Sequence, residues 1–330
     1  MYVAEVIMRG ALADSPVRAK CFVGIGVEVT GNADHKRIMK PAQNPPLAAS
    51  LVLCASAFAA GSTLMAKIVG SGTLGPALHP LQVSQGRFLF AFIAIATLTL
   101  IVRPKFTKPD LKLHISRSIL GWSGVTLMFA AAVYIPLSDA TAISFLNPVF
   151  AMLLAIPFLG EKVGPWRWLA AFVSMTGALI LLRPGAESVQ AGALFALGAA
   201  VLLGGEVILI KRLTNADGPM QILLINNSIG LVVSTAAAAP FWIWPTPEQW
   251  MGLAGVGWLM ISAQAFFTNA MMRGEASFVS PFFYASLVFA AIYDLLIFDV
   301  VPDFISIVGA ATILSGAALL AWRETVRKGT

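Results

Sequence analysis

The chain has 330 residues, of which 58% are apolar and only 12% charged, and its mean hydropathy is +0.82. A soluble domain carries about 25% charged residues to face water, so this composition excludes a soluble two-domain protein and leaves a polytopic membrane protein. The 22 Lys and Arg outnumber the 16 Asp and Glu, but they fall between apolar blocks and not along one element, which reads as membrane topology and not as a nucleic-acid surface. Cys21 and Cys54 supply neither a disulfide framework nor metal-ligand spacing.

Residues 1–45 are polar and mixed in charge, with one brief apolar run from Cys21 to Val29, too short and too far from the start for a signal peptide. They read as a disordered cytoplasmic tail, with Met39 as an alternative start just before the first span. About 20 mostly apolar residues cross hydrocarbon. Ten blocks qualify: 47–66, 83–102, 116–135, 139–159, 166–182, 191–210, 220–240, 250–271, 276–298 and 304–322. The connections are short, which excludes a large soluble catalytic module. Nineteen of the 22 Lys and Arg lie in the tail, in the 103–117 loop, after spans 4, 6 and 8, and at the C-terminus. The opposite side holds only Lys67 and Arg183, with Arg87 just inside the second span. The positive-inside rule then makes both termini cytoplasmic.

The chain repeats itself. Gly121-Trp122 in span 3 and Gly257-Trp258 in span 8 lie 136 residues apart, and the same offset carries Asp139-Ala140-Thr141 onto Glu275-Ala276-Ser277 and Ser144 onto Ser280. After a small insertion Glu161 falls on Asp299 and Gly177 on Gly316, while Lys67 and Lys211 close matching spans. Each copy has five spans, an odd number, so the second enters the membrane from the opposite side. Inverted repeats of this kind are typical of secondary transporters, because symmetry makes inward-open and outward-open states nearly equal in energy. The expected fold is an all-α membrane protein of ten transmembrane helices in two inverted five-helix repeats, residues 46–183 and 190–323, followed by a cytoplasmic C-terminus at 324–330.

Motifs within these spans carry a family resemblance. Asn147-Pro148-Val149-Phe150 leads to Phe158-Leu159-Gly160-Glu161, then to Gly177-Ala178-Leu179-Ile180. The second copy has Ser280-Pro281-Phe282, Tyr284, Gly309 and Ser315-Gly316-Ala317. In this order they resemble the drug/metabolite transporter superfamily, EamA type, over about residues 46–322. The chain departs from it at Asp299, where the family more often has Glu, and in the N-terminal tail. The resemblance implies a ten-helix bundle with a central substrate cavity and no ATP-binding domain.

Polar groups within spans are the candidate site residues, because a polar stripe in hydrocarbon must face other helices or water. Thr141, Ser144 and Asn147 share one face of span 4, and Ser277, Ser280 and Tyr284 form the counterpart on span 9. Trp258, Ser262 and Asn269 share a side of span 8, and Trp122 and Thr126 begin the equivalent on span 3. Interhelical hydrogen bonding explains the same residues and is compatible with lining a cavity. Glu206 in span 6 and Asp294 in span 9 are acids at membrane depth, expensive to bury and therefore candidates for coupling; local bonding near Lys211 and snorkelling are the bland alternatives. Arg87 reads as an interface anchor more than as an anion site, and Asn226 and Asn227 fall near its counterpart in span 7. An aromatic cluster (Phe266, Phe267, Phe278, Phe282, Phe283, Tyr284, Phe289 and Tyr293) supplies an apolar slot for a flat ring, most of it being lipid-facing filler. Ala170-Ser174-Ala178 and Ala311-Ser315 make spans 5 and 10 look like scaffold.

Enzyme readings fail on missing partners. Gly121-Trp122-Ser123-Gly124 matches an intramembrane serine protease motif, but His35, His79 and His114 all precede the spans that would have to supply its base. Tyr293-Asp294 lacks a Gly-x-Gly-Asp partner, and there is no His-Glu-x-x-His or Walker sequence. A channel would show rings of charge or a carbonyl filter. The expectation is a carrier in the bacterial inner membrane, without cofactor, metal, nucleic acid or ATPase subunit, for which a monomer suffices. The family includes amino-acid exporters, S-adenosylmethionine carriers and riboflavin uptake systems. The aromatic cluster leans towards a flat heteroaromatic such as riboflavin, with export of amino acids or related metabolites and drugs as the alternative and a channel or passive scaffold as a remote one.

Overall fold

Proline opens five of the helices, at Pro45, Pro80, Pro165, Pro219 and Pro247. Its fixed φ suits a first helical turn, where its missing N–H is one that has no intrahelical partner anyway. The computed structural model describes residues 43–70, 72–134, 143–182, 191–298 and 301–328. Within them lie α1 (Pro45–Gly70), α2 (Pro80–Val102), α3 (Leu111–Tyr134), α4 (Asn147–Leu159) and α5 (Pro165–Leu182). The second set is α6 (Ala191–Leu213), α7 (Pro219–Ala238), α8 (Pro247–Arg273), α9 (Ala285–Phe298) and α10 (Phe304–Lys328). The N-terminal tail and the Asp139-Ala140-Thr141 and Asp299 repeat positions lie outside the described residues.

Three spans differ most from a plain reading of the blocks. Within the fourth, expected over 139–159, the described helix begins at Asn147. The third helix starts at Leu111, five residues before the expected edge, and so takes Arg117 out of the expected 103–117 loop and into the bundle. The ninth is broken: a single turn at Ala276–Val279 passes into a 3-10 segment, Ser280–Tyr284, before α9. Pro281 within that segment cannot donate to the helical ladder, which favours the tighter winding. Among the described residues seven helical stretches are long and apolar enough to cross a membrane, and Asn147–Leu159 is a shorter apolar helix.

Many of the fully buried positions are small residues that let helices approach, and large apolar side chains cover much of the outside. Ala48, Ala55, Ala151, Ala155, Ala196, Ala199 and Ala200 are fully buried, whereas Leu100, Ile101, Leu194, Val232, Leu296 and Phe304 point outward. This suits a protein whose solvent is hydrocarbon, where association relies on close packing and not on hiding apolar surface.

Packing follows the repeat. Exchanging the halves turns α1 into α6, α2 into α7, and so on to α5 into α10. The extensive α1–α8 pairing then becomes α6–α3, also extensive, while α2–α7 and α5–α10 map onto themselves. The α8–α2 and α4–α6 contacts likewise have counterparts in α3–α7 and α9–α1. Equivalent helices are five spans apart and run in opposite directions, so the two five-helix repeats are inverted.

Glycine makes the self-paired α5–α10 crossing possible. A Cβ on Gly177 would lie 2.6 Å from the backbone N of Ile313, and one on Gly316 would lie 2.9 Å from the backbone O of Ala170. These are the two repeat-equivalent glycines. Ala170, Ser174 and Ala178 are buried at this crossing as expected, but Ala311 and Ser315 face outward. The packing face of α10 is Gly309, Ile313, Gly316 and Ala317 instead.

Candidate transport cavity

Close approach of α3 and α6 is the local cause of the site. A Cβ on Gly124 would meet Leu203 at 2.8 Å, and one on Gly205 would meet Leu120 at 2.9 Å. At Gly121 the missing Cβ leaves room for the Glu206 carboxyl, 2.8 Å from where that atom would stand. The acid is thereby held at the seam of the two halves, 3.6 Å from Nε of Arg117.

Two adjoining cavities, which share lining residues, lie along this seam. The larger, about 300 Å³, is lined by Arg87, Arg117, Asn147, Glu206, Gln264, Phe267, Thr268, Ser280 and Phe283, among others. The smaller, about 130 Å³, has Arg87, Ser118, Trp122, Thr126, Glu206, Asn226 and Gln264 in its wall. Arg87, Val125, Glu206 and Gln264 belong to both. Their linings draw on α1, α2, α3, α4, α6, α7, α8 and the 3-10 segment, with none from α5 or α10.

The lining combines a ring surface with hydrogen-bonding groups. Phe267 and Phe283 meet edge to face, 5.9 Å between centroids. Asn226 Oδ1 accepts from Ser118 Oγ at 3.1 Å, and Asn227 Nδ2 donates to Gln264 Oε1 at 3.0 Å, so α3, α7 and α8 are tied together beside the cavity. Lys211 is tied to the end of α8. Its ammonium donates to the carbonyls of Met271 and Gly274 at the C-terminus of α8, where a cation complements the helix dipole.

The sequence candidates divide in space. Trp122, Thr126, Asn147, Glu206 and Ser280 come together around the two cavities, and Thr126 Oγ1 also donates to the Trp122 carbonyl at 2.8 Å. Ser144 is buried next to them, its carbonyl accepting from Asn147 Nδ2 at 3.1 Å. Tyr284 is fully buried in a core with Phe145, Leu287 and Ile313, and its hydroxyl donates to the Phe145 carbonyl. Asn269 is buried and accepts from Arg273 Nη1 at 2.9 Å. Trp258 is 59% exposed on the outer face, and Ser262 donates back to the Trp258 carbonyl; neither is among the lining residues. Thr141 lies outside the described residues, as does the side chain of Asp294.

Arg117, Gln264 and Thr268 were missed. The sequence signal for Arg117 was available: Leu113, Arg117, Leu120 and Gly124 share one face at helical spacing, so the helix extends to the arginine. Among the described residues no group of three or more His, Cys, Asp or Glu could hold a metal ion. What the cavity offers is guanidinium, carboxylate, amide and aromatic chemistry.

An inverted pair of helical bundles with a mainly apolar cavity carrying a few charged and polar groups at their seam is the architecture of a membrane solute carrier. The chain belongs to the EamA-like transporter family, which it matches over residues 46–183 and again over 190–322. It is 29% identical over 262 residues to an S-adenosylmethionine uptake transporter of Rickettsia bellii, covering 78% of this chain and 88% of that protein. It is 30% identical over 233 residues to a riboflavin transporter of Vibrio cholerae, covering 69% of this chain and 77% of the other. A crystal structure superposes with a TM-score of 0.70 at 19% identity, covering 83% of this chain and 98% of that one, a likeness of fold alone.

Proposed function

We propose that this chain is a secondary carrier of the bacterial inner membrane that takes up riboflavin, or a metabolite of similar flat aromatic shape, by alternating access. The observation that carries the reading is that the Phe267–Phe283 pair and the amides of Asn147 and Gln264 line one cavity. Such a slot gives a ring its apolar contact and its edge a few hydrogen bonds. Trp122, Thr126, Asn147, Glu206 and Ser280 serve as substrate contacts, with Ser144 behind them. Both termini face the cytoplasm, in keeping with the distribution of basic residues.

A riboflavin-auxotrophic bacterium expressing the chain on limiting vitamin should grow better than its parent. Unimproved growth with the protein confirmed in the membrane removes riboflavin. A second reading, a metabolite with an amino-acid head, is favoured by Arg87, Arg117 and Glu206 lining the same space.

A further inference from the structure

Charged groups in hydrocarbon are kept only where something compensates them. Both arginines of the cavity are undercompensated. Arg117 is 3% exposed, yet its Nε and Nη1 have no hydrogen-bond partner. Glu206 Oε1 at 3.6 Å from that Nε is an ion pair too long to be a hydrogen bond. Arg87 lies over the ring of its neighbour Phe88, 4.1 Å from the centroid, and no hydrogen bond from its guanidinium occurs among the described residues. Two arginines against one carboxylate leave one positive charge in excess, and no other charged residue is among the lining residues of either cavity. Arg117 and Glu206 sit about two helical turns from the end of the bundle where α1 begins, and Arg87 about two turns from the opposite end.

We propose that Arg117, Glu206 and Arg87 form an oxyanion subsite, which takes a carboxylate or phosphate group of the carried solute. The planar fork of a guanidinium matches either group with two parallel hydrogen bonds, and the anion cancels the excess charge. Glu206 faces the arginines from α6, keeps the empty site from holding two bare positive charges, and repels an anion that would otherwise bind too tightly to leave. With one arginine towards each end, the solute anion has a guanidinium within reach from either side. This rests on the carrier reading above and narrows its substrate class: riboflavin itself bears no oxyanion, so the favoured solute is one of that shape, or with an amino-acid head, that carries a carboxylate or phosphate.

The test uses the full chain in nanodiscs and two matched pairs of probes, with affinities from calorimetry. One pair is riboflavin 5′-phosphate and riboflavin; the other is S-adenosylmethionine and its decarboxylated analogue. The expected result is a preference of at least about tenfold for the oxyanion-bearing member of one pair, roughly 1.4 kcal/mol, and the pair that shows it distinguishes phosphate from carboxylate. Arg117→Gln and Arg87→Gln should each cut that preference to less than about threefold, with folding of each variant checked by its size-exclusion profile and thermal melt. Arg117→Lys, which keeps the charge, should retain part of it. No preference in either pair, no binding of either anionic member, or a preference that survives both glutamine variants overturns the proposal. Proteoliposome uptake of the same probes separates the two claims. Uptake without anion preference refutes the subsite alone, whereas anion-selective binding without uptake refutes the carrier.

Discussion

Glu161 offers the sharpest test of how the two halves are joined. It follows α4 in the first repeat, and its carboxylate receives the N–H of Ala276 at 2.8 Å, the N–H of Ser277 at 2.9 Å and the hydroxyl of Ser277 at 2.6 Å. These are the first donors of the broken ninth span, so one half supplies the helix cap of the other. Arg167 bridges the same place, pairing with Glu275 and donating to Ser277 Oγ at 2.8 Å. Hydrogen bonds to a charged acceptor contribute roughly 1.5–3 kcal/mol each. The carboxylate opens onto a surface pocket with Gln43, Lys162 and Asn215, so water replaces part of what is lost. Glu161→Ala should therefore cost about 2–4 kcal/mol, a fall in Tm of roughly 4–8 °C at the scaling of large domains. Thermal unfolding of the detergent-purified protein measures it. Glu161→Gln keeps an acceptor and should lose less than the alanine. In a double-mutant cycle with Ser277→Ala the losses should be less than additive, because both changes remove the same bond. Strict additivity, or a fall of less than about 1 °C for Glu161→Ala, would refute the cap.

Three further outcomes follow from the packing. Gly177→Leu drives a side chain into the backbone of α10 and should leave little folded protein by size-exclusion chromatography, while Gly164→Ala, with nothing within 4 Å, should behave as wild type; equal yields would contradict the crossing. Gly121→Ala pushes the Glu206 carboxyl aside and should lower uptake about tenfold, roughly 1.4 kcal/mol, at unchanged yield; unaltered uptake would show that the position of the acid does not matter. Glu206→Gln removes the only carboxylate among the lining residues of the two cavities. Its uptake should no longer vary with pH in proteoliposomes, and a retained wild-type profile would assign proton coupling to another group.

The membrane class, the number of spans, the repeat and its inversion were all legible in the amino-acid order, because each depends on local quantities. Hydropathy over some 20 residues sets a span, and an odd number of spans per copy reverses the second. The Gly177–Gly316 pair was visible in the sequence as a repeat match, whereas its part in the backbone approach between α5 and α10 is seen only in the structure. Other features depend on which face of a helix meets which neighbour. Trp258 and Trp122 occupy equivalent positions in sequence, yet Trp122 lines a cavity and Trp258 faces outward. Helix α3 meets α6 and α7 and α8 meets the equivalent α1 and α2, so the two tryptophans part company within matched packing, because the halves are only approximate copies. Arg117 looked like one more cytoplasmic charge until the start of α3 at Leu111 carried it into the bundle beside Glu206. Composition and periodicity determined that this chain crosses the membrane as two opposed halves; helix rotation and glycine-permitted contact, which arise only once the halves meet, decided where its charges face each other.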